Sequence, residues 1–316
     1  MDDVLEPPRP RGRFPAANVA LFLATVVTTL WAGFFLSPLR DGELTVANVL
    51  RGGLPFAGSI IAILFTHEMG HYLLARRHGV MASLPYFIPL PFLGFGTLGA
   101  VIRMRSAIPS RKALLDIGAA GPLAGLAVAV PLYFVGLALS EVREFAVYTT
   151  SGALDSPWAM LRALLDGRPL LVEGSNLQVF GESLLTRAAS WLVLGDLPPG
   201  TGIEPHPVVF AAWLGLVITA LNLVPLGQLD GGHVLYALLG RSRALAVARL
   251  VSWGLFVAGL FLSWTWLVWW FLSRFVVGLG HPPPLTEEPL DRGRRTIAWL
   301  ALALFVATFV PVPVSS

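Results

Sequence analysis

Stretches of about twenty apolar residues recur along this chain, and they decide what it can fold into. They cover about 16–36, 53–75, 113–139, 207–224, 245–262, 263–279 and 296–312. Each is long enough to cross a hydrocarbon layer as a helix. Only 13% of the 316 residues are charged, about half the share of a soluble domain. The expected class is therefore an all-α polytopic membrane protein with six to seven transmembrane helices. The first run follows Arg9, Arg11 and Arg13 and is too long for the apolar core of a signal peptide, so it reads as an uncleaved first helix. Net charge is only +3 and no basic tract is interleaved with aromatics, which argues against a nucleic-acid partner. Membrane lipid is the surrounding partner.

Two stretches interrupt the helical pattern. "MASLPYFIPLPFLGFGTLGAVIRMRS" (81–106) is apolar but too rich in Pro and Gly for one helix. Its "GTLGAVIRM" portion alternates and predicts a short β-hairpin dipping into the membrane; an interfacial loop without a special role is the plainer reading. Residues 140–206 form the one long polar connection, with an amphipathic helix expected over 182–194. Arginines orient the chain. With the N-terminus inside, Arg76, Arg77, Arg103, Arg105, Arg111, Lys112, Arg241, Arg243, Arg249, Arg292, Arg294 and Arg295 all fall on the inner side. The excess of Arg, Ala, Gly and Pro, with Lys112 the single lysine, suggests a GC-rich bacterial genome and a bacterial cell membrane.

The second apolar run carries "FTHEMGHYLL" (65–74). An ionisable residue at the centre of a membrane helix costs about 2.5–3.5 kcal/mol on insertion scales, so three together demand a function. His67 and His71 are four residues apart and share one helix face, where both imidazoles can reach one metal ion. Glu68 is offset around the helix and can take a proton from water activated by that metal. The chain has no cysteine, so any metal must be held by nitrogen and oxygen. Catalytic zinc uses three protein ligands and an open position. "NLVPLGQLDGGH" (222–233) supplies the third, Asp230, where Pro225 and the glycines break the helix and let the chain approach closely. A helix N-cap is the alternative role for Asp230. His71 lies five residues before Arg76, about 8 Å along a helix, and Asp230 lies eleven before Arg241, at most about 16 Å. Both therefore fall in the cytoplasmic half.

HEMGH on one membrane helix with "NLVPLGQLDGGH" on a later one resembles the site-2 protease family of intramembrane zinc metalloproteases, peptidase M50-like. The resemblance covers roughly 53–240, the family's three-helix catalytic core, and "GPLAG" (121–125) is similar to its small-residue packing segment. It implies one zinc ion held by His67, His71 and Asp230, with Glu68 as catalytic base. It also implies that Asn222 hydrogen-bonds the substrate carbonyl or its oxyanion; a helix–helix hydrogen bond is the structural alternative. The implied substrate is a transmembrane protein or peptide. No PDZ-like insertion and no CBS-like domain is evident, so the chain resembles the minimal branch. "GQLDGGH" and "GHPPP" are similar to the subgroup that includes plastid homologues. The expected division is 1–52 (tail and first helix), 53–240 (catalytic core) and 241–316 (C-terminal helices). His233 is expected to be structural or to support the ligands, because a fourth ligand would close the water position; His281 is expected to be structural. His78 and His206 carry no motif. An ion or solute transporter using intramembrane His and Asp, and a non-proteolytic binding relative, are the competing functions. The absence of a repeat argues against the first and the intact Glu68 against the second.

Overall fold

The computed structural model describes residues 15–37, 43–91, 94–144, 155–167 and 179–315. Arg9, Arg11, Arg13, Arg40, Phe92 and parts of the 140–206 connection lie outside the described residues. The apolar runs become helices: α1 (Ala16–Phe35), α2 (Val46–Arg77), α3 (Arg111–Ala138), then α4 (Pro157–Leu165) and α5 (Leu184–Leu194) in the polar connection. They continue with α6 (Pro207–Asn222), α7 (Asp230–Leu239), α8 (Arg241–Phe261), α9 (Trp264–Phe271), a π-helical turn (Leu272–Val277) and α10 (Arg292–Thr308). The strands are short: β1 (Tyr86–Leu90), β2 (Gly96–Val101), β3 (Glu141–Glu144), β4 (Val179–Phe180), β5 (Thr201–Glu204) and β6 (Val314–Ser315), paired antiparallel as β1–β2, β3–β5 and β4–β6. Among the described residues four helices, α1, α2, α3 and α8, are long and apolar enough to cross a membrane. Their exposed side chains include Leu23, Val27, Leu54, Phe65, Leu73, Leu250, Trp253 and Val257. Apolar surface running along whole helices is what lipid, and not water, tolerates.

Caps set where the helices begin. The side chains of Thr45, Ser110 and Asp291 accept from the backbone N–H three residues on, at the starts of α2, α3 and α10. α2 has 32 residues, about 48 Å, so it outruns a bilayer core of about 30 Å and carries Arg76 and Arg77 beyond it. α2, α3 and α6 pack around Ile60, Ile63, Leu126, Ala129, Tyr133, Phe210 and Leu216. Glycine permits the close approaches: a Cβ on Gly70 of α2 would come within 2.5 Å of the Ala120 carbonyl of α3, so the two backbones nearly touch.

The β1–β2 hairpin forms where the alternation placed it, with Phe87 opposite Ala100 and Leu90 opposite Gly96. It lies on α1. Thr28 Oγ1 donates to the Gly96 carbonyl (2.6 Å), Asn18 donates to the Leu84 and Pro85 carbonyls (2.9 Å each), and Phe22 meets Phe87 edge-on. The 262/263 boundary inside the long apolar stretch is a turn, capped by Ser263 at the start of α9. At the arginine-rich end, Asp116 of α3 takes a bidentate pair from Arg294 of α10 (2.9 and 2.7 Å) and meets His78 Nε2 (2.9 Å).

Candidate metal centre

His67, Glu68 and His71 sit on α2, all buried at 3–6% exposure. Helical spacing brings the two rings together, with Nε2 atoms 3.2 Å apart. α6 ends at Asn222, and the chain turns through Leu223–Leu229 before α7 begins at Asp230. Two features allow that turn. Gly227 adopts φ +49°, in the left-handed region that glycine enters freely. A Cβ on Gly231 would collide with the Leu223 and Val224 carbonyls. The N-cap position of α7 is Leu229, so Asp230 is not spent as a cap.

Asp230 Oδ2 then lies 3.3 Å from His67 Nε2 and 3.2 Å from His71 Nε2. The three candidate donor atoms form a nearly equilateral triangle. Bonds of about 2.0–2.2 Å from nitrogen and oxygen to a tetrahedral zinc place ligand atoms about 3.3–3.6 Å apart, and the triangle sits at the short end of that range. The donor set and its spacing therefore fit zinc, with the fourth corner left to water or substrate. Among the described residues this is the one cluster of three such groups.

Neighbours prepare the ligands. The Ile117 carbonyl lies 2.8 Å from His71 Nδ1. A carbonyl can only accept, so Nδ1 carries the proton and Nε2 presents its lone pair to the triangle. α3 faces the histidines with glycines. A Cβ on Gly121 would overlie the His71 ring; one on Gly125 would press on His67 Nδ1 (3.1 Å); one on Gly118 would meet His233 Cβ (2.5 Å). The "GPLAG" segment thus seats imidazole rings as well as a neighbouring helix.

The Asn222 carboxamide reaches the edge of the triangle, its Nδ2 3.4 Å from His67 Nε2. The backbone N–H of Ile102, one residue past β2, approaches the Glu68 carboxylate. The hairpin therefore ends beside Glu68. His206 caps α6 through Nδ1, and His78 joins the Asp116 pair, away from the triangle. His233 and His281 contact each other through Nδ1 and Nε2 at 2.5 Å. Sequence reading left this pair unconnected, because a loop histidine 48 residues downstream has no periodic relation to α7.

Comparison with known proteins agrees with the geometry. The model of "Peptidase family M50" matches residues 55–264. The chain is 31% identical over 268 residues to the chloroplastic probable zinc metalloprotease EGY2 of Arabidopsis thaliana, covering 84% of this chain and 43% of that protein. It is 33% identical over 306 residues to the chloroplastic EGY1 of Oryza sativa subsp. japonica, of the same description, covering 94% and 47%. The chloroplastic probable zinc metallopeptidase EGY3 of Arabidopsis thaliana is 32% identical over 297 residues, covering 92% and 48%. The chain spans about half the length of these relatives. No solved structure matches it. With two thirds of its length inside the family match, the chain belongs to peptidase family M50.

Proposed function

We propose that this protein is an intramembrane zinc metalloprotease that hydrolyses peptide bonds within or near transmembrane segments of membrane proteins. The observation that carries this is the zinc-sized triangle of His67, His71 and Asp230, with Glu68 buried beside it inside a bundle of apolar helices. A zinc ion bound there supplies Lewis-acid activation of water and of the scissile carbonyl at neutral pH. Glu68 takes the proton of the attacking water and returns it to the leaving amine. Asn222 donates its carboxamide N–H to the oxyanion that develops on the substrate carbonyl. The Ile117 carbonyl accepts from His71 Nδ1–H and so orients the ring with Nε2 toward the triangle.

A helical substrate keeps its carbonyls hydrogen-bonded and must unwind before attack. The β1–β2 hairpin is the element that receives it. β2 has one paired edge and one free edge among the described residues, Leu98 is exposed, and the strand runs toward Glu68. An extended substrate pairs with that edge through backbone N–H and C=O groups, so recognition depends on extension more than on side-chain identity. The arginine distribution favours a centre in the cytoplasmic half of the bilayer, and the composition favours a bacterial cell membrane.

Glu68→Gln and Asp230→Ala separate base from ligand. Both proteins, with the parent, are reconstituted with a single-span test substrate carrying Gly and Pro near one end of its span. Glu68→Gln keeps about one zinc per chain and cleaves nothing; Asp230→Ala loses most of its zinc. Parental cleavage by Glu68→Gln would defeat the proposal.

A further inference from the structure

The family match ends at residue 264, yet the chain beyond it packs back on α7, the helix that begins at Asp230. Residues 278–291 form a strap between the π-helical turn and α10, tied down at successive points. The Gly278 carbonyl lies against Gly227, where a Cβ would collide with it. His281 stands edge-on to His233, with ring centroids 4.7 Å apart. Leu285 and Thr286 donate their N–H groups to the Ile108 and Pro109 carbonyls (3.0 and 3.1 Å), and Arg111 donates to the Thr286 carbonyl (3.2 Å). Tyr236 donates its hydroxyl to Glu287 Oε1 (2.6 Å). Arg111, 3.8 Å from Glu287, also donates to the Ala237 carbonyl (2.7 Å) near the end of α7.

Two of these ties, His281 to His233 and Glu287 to Tyr236, fall on α7; the others anchor the strap to Gly227 and to the start of α3. α7 has ten residues and no side-chain cap at its start, and so short a helix has little stability of its own. Its orientation must come from what holds it. Asp230, His233 and Tyr236 follow at intervals of three along α7, a spacing that lines one side of a short helix. The first member of this row is the metal-facing carboxylate. The other two are the residues that the strap engages. On the other side, His233 Cβ rests against Gly118 of α3, so α7 is wedged between α3 and the strap.

Hydrogen-bond direction makes the linkage specific. The Pro282 carbonyl accepts from His281 Nδ1, which therefore carries a proton. Burial lowers the pKa of His281 and favours its neutral ring, so its Nε2 is an acceptor. His233 Nδ1–H must then be the donor. A side chain that can only donate at this position of the strap would break the link; one with an acceptor oxygen would keep it.

We infer that the 278–291 strap is a working part of the metal centre, with His281 and Glu287 as positioning residues that hold α7, and with it Asp230, in place through His233 and Tyr236. The activity arm of this inference rests on the function proposed above; its metal-binding arm does not.

The test uses the full chain in detergent, with His281→Ala, His281→Gln and Tyr236→Phe. Zinc is competed with a chelator, and the visible spectrum of cobalt-loaded protein reports ligand geometry. Outer partners of metal ligands contribute roughly 10–100-fold in affinity, and these partners act at one further remove. His281→Ala is therefore expected to bind zinc about tenfold more weakly, to shift the cobalt bands and to lower kcat with little change in KM. His281→Gln is expected to restore all three, because its carboxamide oxygen accepts from His233 Nδ1–H. Tyr236→Phe removes one hydroxyl and is expected to move the same readouts by less; it decides the matter if His281→Ala is not monodisperse. Parental zinc affinity and cobalt spectrum in both His281→Ala and Tyr236→Phe would overturn the inference. So would a His281→Gln protein as deficient as His281→Ala. If the parent cleaves no test substrate, the proposed function falls, and the metal readouts still decide this inference.

Discussion

Replacing Gly121 by Ala adds one methyl group at the back of the metal centre. That methyl would overlie Nε2 and Cδ2 of His71 and come within 2.5 Å of Cε1. Carbon contacts settle at about 3.5 Å or more, so something must move by about 1 Å. Two ways out exist. α3 can retreat, which opens the close Gly70–Ala120 contact and costs about 1–3 kcal/mol as overpacking does. Alternatively, His71 swings away, stretching its 2.8 Å hydrogen bond to Ile117 and leaving the triangle with His67 and Asp230. Metal–ligand distances tolerate about 0.2 Å, so a 1 Å displacement would deprive a metal bound at the triangle of the His71 nitrogen. Misplacement on that scale costs roughly 100-fold in rate. Gly125→Ala is the graded partner, since its nearest contact is His67 Nδ1 at 3.1 Å, a few tenths of an ångström too tight. Gly58→Ala on α2 is the control; nothing lies within 4 Å of its Cβ, and alanine favours a helix by about 1 kcal/mol over glycine. Zinc content after chelator dialysis, with cleavage of the test substrate, reads the series. The expected order is Gly58→Ala equal to the parent, Gly125→Ala reduced, and Gly121→Ala about 100-fold reduced with zinc largely lost. A Gly121→Ala protein that keeps its zinc and cleaves at the parental rate would refute the claim that α3 seats the His71 ring.

Proline at Leu98 or Ala100 removes a backbone donor from β2 and bends it, so cleavage should fall at least tenfold while zinc content stays at one per chain. Leu98→Ala leaves the backbone intact and should do less, and parental rates in both proline variants would show that the hairpin takes no substrate. For orientation, single cysteines at Ser242 and Leu165, both exposed, can be labelled in intact cells with a membrane-impermeant thiol reagent. Leu165→Cys should react and Ser242→Cys should not; the reverse pattern would invert the topology and move the metal centre to the opposite half of the membrane.

Much of this molecule is written in local pattern. Helix positions follow from apolar runs because a helix satisfies its own backbone in lipid, and the observed α1, α3, α6 and α10 start within a few residues of the runs that announced them. The His67–His71 pairing is equally local, since four residues make one helical turn. The hairpin was legible from alternation at Gly96–Val101. Nothing local, however, specifies that Asp230 closes the triangle at 3.2–3.3 Å. That distance depends on how α6 and α2 cross, which side chains on both helices decide together. The role of Gly118, Gly121 and Gly125 was only half visible. Sequence shows that they are small, and packing shows that the space they leave is filled by three imidazoles. His78, without a motif, joins Arg294 at Asp116 across three helices, and His281 reaches His233 from a segment that reads as an ordinary proline-rich loop. Such pairings come from chain segments tens to hundreds of residues apart, whose meeting is a property of the packed bundle and has no period along the sequence.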